Sequence, residues 1–180
     1  MTPMHAQRPH GYSQQGRGGG GPPRDQGPKE VEQVWPGYLS DRYFDANGCL
    51  KVEYVSREAG QHQGKPYGVE PLVSAMCEDR NRLTSHQIRR YFGHCRTVET
   101  RLKSSGESWA CLLPEIKKLE IAAADGVYKK PNPKIPALFH DFIRRNVAAI
   151  KTKEDFLNGF LPHFEALVGF GTAHFKSERS

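Results

Sequence analysis

The chain has 180 residues, 37% of them hydrophobic, and carries 26 Lys and Arg against 20 Asp and Glu, for a formal net charge of +6 and a pI near 9.2. That length supports one domain with its own core and excludes two comfortable ones, and no apolar run approaches the roughly 20 residues needed to cross a bilayer. The positive excess favours nucleic acid, an anionic surface or an acidic partner over a neutral small molecule.

Four cysteines, Cys49, Cys77, Cys95 and Cys111, form neither a C-x-x-C pair nor a zinc or haem spacing. They predict reduced thiols in a cytoplasmic protein, mostly packed as small hydrophobes. Residues 1–34 are rich in Gly, Gln, Pro and Arg, with Gly18 to Gly21 in a row before Pro22 and Pro23. So little apolar surface cannot offset ordering entropy, which predicts a disordered tail ahead of a single domain over residues 35–180. Arg8, Arg17 and Arg24 lie among glycines, but no R-G-G unit repeats, so a solvated tail is the expectation rather than an RNA-binding arm.

Order is expected from Trp35 to Leu39 onward. Asn47-Gly48 is a turn signal after Tyr43-Phe44, and Leu50 to Ala59 reads as a short helix in preference to one arm of a β-hairpin. Gly60 to Gly68 reads as a loop. Pro71 suits the first turn of a helix that runs to about Arg80 and buries Leu72, Val73, Met76 and Cys77.

Thr84 to Lys103 is the dominant element. Thr84 and Gln87 stand at capping-box spacing, and Ile88, Tyr91, Phe92, Cys95, Val98 and Leu102 recur on one helical stripe. Arg89, Arg96 and Lys103 line one flank of that stripe; Arg90, His94 and Arg101 line the other; Glu99 is the only acid. The next helix starts after a Ser108 cap with Trp109, Leu112, Leu113, Ile116, Leu119 and Ala123 inward, Lys117 and Lys118 outward, and Pro114 on the outer side, where it bends the rod without entering the core. Gly126 ends it.

A lysine-rich loop leads to Pro136 and a helix that turns Leu138, Phe139, Phe142, Ile143, Ala149 and Ile150 inward and His140, Arg144 and Lys151 outward, with Arg145 to one side. Thr152 caps the last helix, with Asp155 at its third position and Pro162 predicted to bend it. Phe156, Phe160, Phe164, Leu167 and Val168 form its apolar side. Its outer face, assigned to Asp155, Asn158, Glu165 and Gly169, is small and acidic and predicts a protein–protein contact on Asp155, Asn158 and Glu165. The sum is an all-α fold: a compact bundle of about five helices behind a disordered N-terminal tail.

Three strings carry a resemblance: Y-F-D-x-N-G-x-L at Tyr43 to Leu50, L-T-S-x-Q-I-R-R-Y-F at Leu83 to Phe92, and D-F-L-N-G-F-L-P-H-F-E-A-L-V-G-F from Asp155. Over about Gly37 to Lys176 the chain resembles the small subunit of type III-A (Csm) CRISPR effector complexes. It departs from the family pattern in its long N-terminal tail and in Gly169 and Gly171, where alanine or aromatic residues are usual. The resemblance implies a non-catalytic subunit that stacks in several copies alongside guide-bound backbone subunits and the large polymerase-like subunit, and helps hold guide RNA paired to target RNA. Cleavage would belong to other subunits, and no cofactor, metal or membrane partner is implied. Pairing reads the sequence, so the protein needs only cations for phosphates. The candidate RNA contacts are Arg89, Arg90, Arg96, Lys117, Lys118, Arg144, Arg145 and Lys151.

Two other classes compete. The capped Thr84 helix, behind a short helix and turn, could be the reader of a helix-turn-helix DNA regulator, with Ser85, Gln87 and Arg90 near its start, although Tyr91, Phe92 and Cys95 make it unusually apolar for that role. An enzyme would rely on His140-Asp141, His163 with Glu165, or His94-Cys95. Adjacent helical residues diverge, however, and no H-E-x-x-H, Gly-rich phosphate loop or G-x-S-x-G elbow is present.

Overall fold

The structure is a computed structural model and describes residues 29–175. Helix α3 (Ser85–Ser104) forms as its sequence dictates. The Thr84 hydroxyl accepts the Gln87 amide at 3.3 Å, the Gln87 side chain accepts the Thr84 amide at 2.9 Å, and Ile88, Tyr91, Cys95, Val98 and Leu102 are buried along one stripe. Helix α4 (Trp109–Tyr128) follows the Ser108 cap, buries Leu112, Ile116, Leu119 and Ala123, and keeps Pro114 exposed. It does not stop at Gly126 but continues to Tyr128. Gly126 serves packing instead of termination, since an added Cβ there would stand 3.1 Å from the Ile135 side chain. Helix α5 (Ala137–Ala149) starts after Pro136 and buries Leu138, Phe139, Phe142, Ile143 and Val147.

Helix α2 (Val69–Glu78) turns Leu72, Val73 and Met76 inward, with Cys77 half-buried. A six-residue π-helical segment, Asp155–Phe160, runs into α6 (Leu161–Gly171). Pro162 has no N–H to donate, and the wider turn before it relieves the helix of a bond that proline cannot make. Gly159 lies in that segment against the Tyr43 ring, where an added Cβ would stand 2.6 Å from the ring carbons. Helix α4 packs chiefly on α5 and also on α3, whereas α6 packs on α2 and α3. Helix α4 therefore packs against both α3 and α5, while the Tyr91 ring of α3 and the Phe139 ring of α5 meet edge-on at 5.1 Å.

The fold is largely helical but not all-α. Five helices of ten residues or more, α2 to α6, are joined by the four-residue α1 (Val31–Val34) and by a two-stranded antiparallel sheet of β1 (Gly60–His62) and β2 (Lys65–Tyr67). That hairpin occupies the stretch expected to be a loop. Its strands are three residues each, too short to show alternation, and its turn is made by Gln63 and Gly64, both at positive φ, as a two-residue hairpin of matching twist requires. Gly68, at φ 144°, has no room for a side chain beside Glu58 and Ala59.

Leu50 to Ala59 is not a helix beyond one 3₁₀ turn at Val52–Tyr54. Asn47-Gly48 instead closes a turn under an isolated antiparallel bridge between Phe44 and Leu50. Order begins before Trp35: α1 carries the buried Val31, whose amide donates to Asp141 at 2.9 Å. The expectation for residues 1–28 lies outside the described residues. Of the cysteines only Cys95 is fully buried; Cys49 and Cys111 are exposed, and all four are free thiols.

Candidate nucleic-acid interface

The eight candidate cations fall into three physical situations. Arg89, Arg90 and Lys151 are exposed and, among the described residues, have no carboxylate at ion-pair distance. Arg96 and Lys118 are exposed but paired along their own helices, Arg96 with Glu99 at 2.8 Å and Lys118 with Glu115 at 2.9 Å. Exposed pairs of this kind contribute about 0–1 kcal/mol, so a phosphate can compete for either cation. Lys117, Arg144 and Arg145 are tied down more firmly.

Lys117 reaches from α4 to the Val147 carbonyl of α5 at 2.6 Å. Burial, with the Lys151 ammonium nearby, pushes its pKa down. Arg144 and Arg145 share the carboxylate of Asp141, which also accepts the Val31 amide. Arg145 is further held by Glu30 and Glu32 at 3.7 and 3.5 Å. Burial raises the Asp141 pKa, but the Val31 amide and the two guanidinium groups outweigh it, and the net shift is downward. The side chain of Arg144 stays 49% exposed and that of Arg145 only 26%. Arg144 thus presents charge to solvent, while Arg145 serves mainly to hold the N-terminal segment on α5.

Two grooves gather five of these cations, and Arg89, Arg96 and Lys117 line neither. One, of about 310 Å³ between α3 and α4, is lined by Arg90, Tyr91, His94, Lys118, Leu119 and Ala122. The other, of about 320 Å³, is bordered by Arg42, Arg144, Arg145 and Lys151, beside the turn at Tyr38 to Ser40. Because α4 packs against both α3 and α5, its adjacent Lys118 and Lys117 face the first groove and the α5 side respectively. Arg42 escapes sequence reasoning: it sits at positive φ in an irregular turn, where no periodicity signals its direction. The neutralising acids do carry a signal, since Glu99 stands three and four residues from Arg96 and Lys103, and Asp141 three and four from Arg144 and Arg145.

The acidic face assigned to the last helix loses one member. Asp155 is buried, because its carboxylate accepts the Lys151 and Thr152 amides at 2.9 and 2.8 Å while the Thr152 hydroxyl accepts the Asp155 amide at 3.0 Å. This is the capping box that the Thr152–Asp155 spacing encodes, and it turns the side chain back toward the helix start. Asn158 and Glu165 remain exposed.

The competing sites are occupied by structural bonds. Gln87 donates its side-chain amide to the Lys134 carbonyl and accepts from Thr84, so it is not a free base reader. His163 is fully buried between the Tyr38 hydroxyl and the Tyr54 carbonyl, and His94 bonds the Glu115 carbonyl at 2.8 Å. His140 packs edge-on against Tyr128. No group of three or more metal-ligating side chains occurs among the described residues, and no described helix is long and apolar enough to cross a membrane.

The structure defines a largely helical protein with a small two-stranded sheet, in which α4 packs against both α3 and α5. Residues 72–177, more than half of the chain, match the family model described as Csm2 Type III-A. The chain belongs to that family, the small subunits of type III-A CRISPR effector complexes. No curated protein and no solved structure matches it.

Proposed function

We propose that this chain is a non-catalytic small subunit that stacks in several copies along a type III-A effector complex, with basic side chains of α3, α4 and α5 against the sugar–phosphate backbone of guide RNA paired to target RNA. The observation that carries the reading is the gathering of cations at two grooves, Arg90 with Lys118 between α3 and α4 and Arg144 with Lys151 at the end of α5, with Arg89, Arg90 and Lys151 exposed and without a carboxylate partner among the described residues. Arg96, Lys118 and Arg144 add charge by exchanging a carboxylate for a phosphate, and Lys117 and Arg145 support the surface from beneath. Asn158 and Glu165 on the last helical segment would face a protein neighbour.

Such a surface neutralises phosphates without reading bases, so its affinity should fall steeply with salt and depend little on sequence. The test is charge reversal at Arg89 and Arg96 in the assembled complex. Target RNA should be lost from the complex while the variant subunit still folds and assembles; full retention of RNA would defeat the reading.

A further inference from the structure

The groove between α3 and α4 has a property that backbone contact does not use. Among the described residues, the Tyr91 hydroxyl is the one buried side-chain polar atom without a hydrogen-bond partner. Tyr91 is 3% exposed and lines the groove. An orphaned polar atom is costly in a folded protein, and a ligand that pairs with it recovers that cost. Leu119 and Ala122 supply apolar lining to the same groove, while Arg90 and Lys118 bring positive charge to it. The Arg90 guanidinium lies over the Tyr91 ring at 5.6 Å, so cation and ring share this part of the groove.

We propose that this groove receives one unstacked nucleotide of an RNA strand, its base against Leu119 and Ala122, a polar edge of the base on the Tyr91 hydroxyl, and the flanking phosphates on Arg90 and Lys118. The inference rests on the RNA reading above and adds a base-occupied position to it. An apolar side chain from a protein partner fits less well. It would strip water from two cations and leave the hydroxyl unpaired, whereas a nucleotide satisfies all three. Its volume places the groove at the small end of ligand sites, suited to one nucleotide and not to a duplex.

The test compares two oligoribonucleotides of equal length and charge, one with ordinary bases and one abasic throughout, binding to the full-length chain. The ordinary strand should bind at least about fivefold more tightly. Tyr91→Phe, which removes only the unpartnered hydroxyl and should not lower the unfolding midpoint, should shrink that preference about two- to tenfold. Ala122→Trp, at an exposed position, should abolish it by filling the groove while leaving abasic binding unchanged. Equal binding of both strands, or a preference that survives both variants, overturns the groove assignment and leaves the RNA reading standing. Binding of neither strand defeats both. If Ala122→Trp instead blocks assembly with other subunits and keeps the base preference, the groove is a protein contact and the inference fails.

Discussion

The Tyr38 hydroxyl and His163 Nε2 lie 2.7 Å apart in the buried centre of the protein, 125 residues apart in the chain. The other ring nitrogen, Nδ1, faces the Tyr54 carbonyl at 2.7 Å and must donate to it, so Nε2 of the neutral ring accepts from Tyr38. The Tyr38 oxygen accepts from Asn146 Nδ2, whose amide also donates to the Phe142 carbonyl, and Asn146 Oδ1 accepts from Tyr43. Every polar atom in this network is paired, with the histidine uncharged.

Burial pushes the His163 pKa down to about 4. An unfolded histidine titrates near 6.5, so between those values the unfolded chain binds more protons than the folded one. Stability from this group is complete above about pH 6.5 and falls by about 3 kcal/mol as pH drops toward 4. Urea unfolding between pH 4 and 7 should show that decline, and His163→Gln should flatten it while lowering stability at pH 7.

Asp141 makes a second test. Asp141→Asn leaves the Val31 amide with a poorer acceptor, Arg144 without its counterion and Arg145 with only Glu30 and Glu32, which should destabilise the fold by about 1–3 kcal/mol in thermal unfolding. Because the native carboxyl pKa is lowered, the wild-type contribution is present above the ordinary aspartate range and disappears as pH falls through the folded value. RNA affinity of the folded variant should rise, since Arg144 loses its internal anion.

Two glycines should respond in opposite directions. Gly93→Ala, at an exposed position of α3, meets nothing within 4 Å and should stabilise the protein by about 0.5–1 kcal/mol. Gly159→Ala drives a methyl group into the Tyr43 ring and should cost about 1–3 kcal/mol. Denaturant midpoints measured side by side distinguish the pair.

Salt dependence provides the fourth check. Arg89→Gln and Lys151→Gln should each reduce the slope of log affinity against log salt by about one for RNA, whereas Lys117→Gln, whose ammonium is held by the Val147 carbonyl at 2.6 Å, should change it less.

The long helices are legible in the sequence because their signals are local and repeated. Thr84 with Gln87 and Ser108 mark starts, and the stripes from Ile88 and Leu112 fix inward sides. The hairpin at Gly60 to Tyr67 is not, since three-residue strands carry no alternation and their stability comes from docking beside α2. The same division holds at the interface. Periodicity puts Arg90 and Lys118 outside their helices, but only the packing of α3 on α4 brings them to one groove. Asp155 illustrates the reverse case: helical spacing places it outside, and its capping bonds draw it in.

The stretch that reveals kinship begins at residue 72, yet Trp35, Tyr38, Tyr43 and Tyr54 lie inside the same buried cluster as α5 and α6. Those rings act as a keystone inserted from ahead of the matched residues. A fragment starting at Leu72 would lose four aromatic plugs and the tyrosine partners of Asn146 and His163, so the matched residues cannot close the core by themselves.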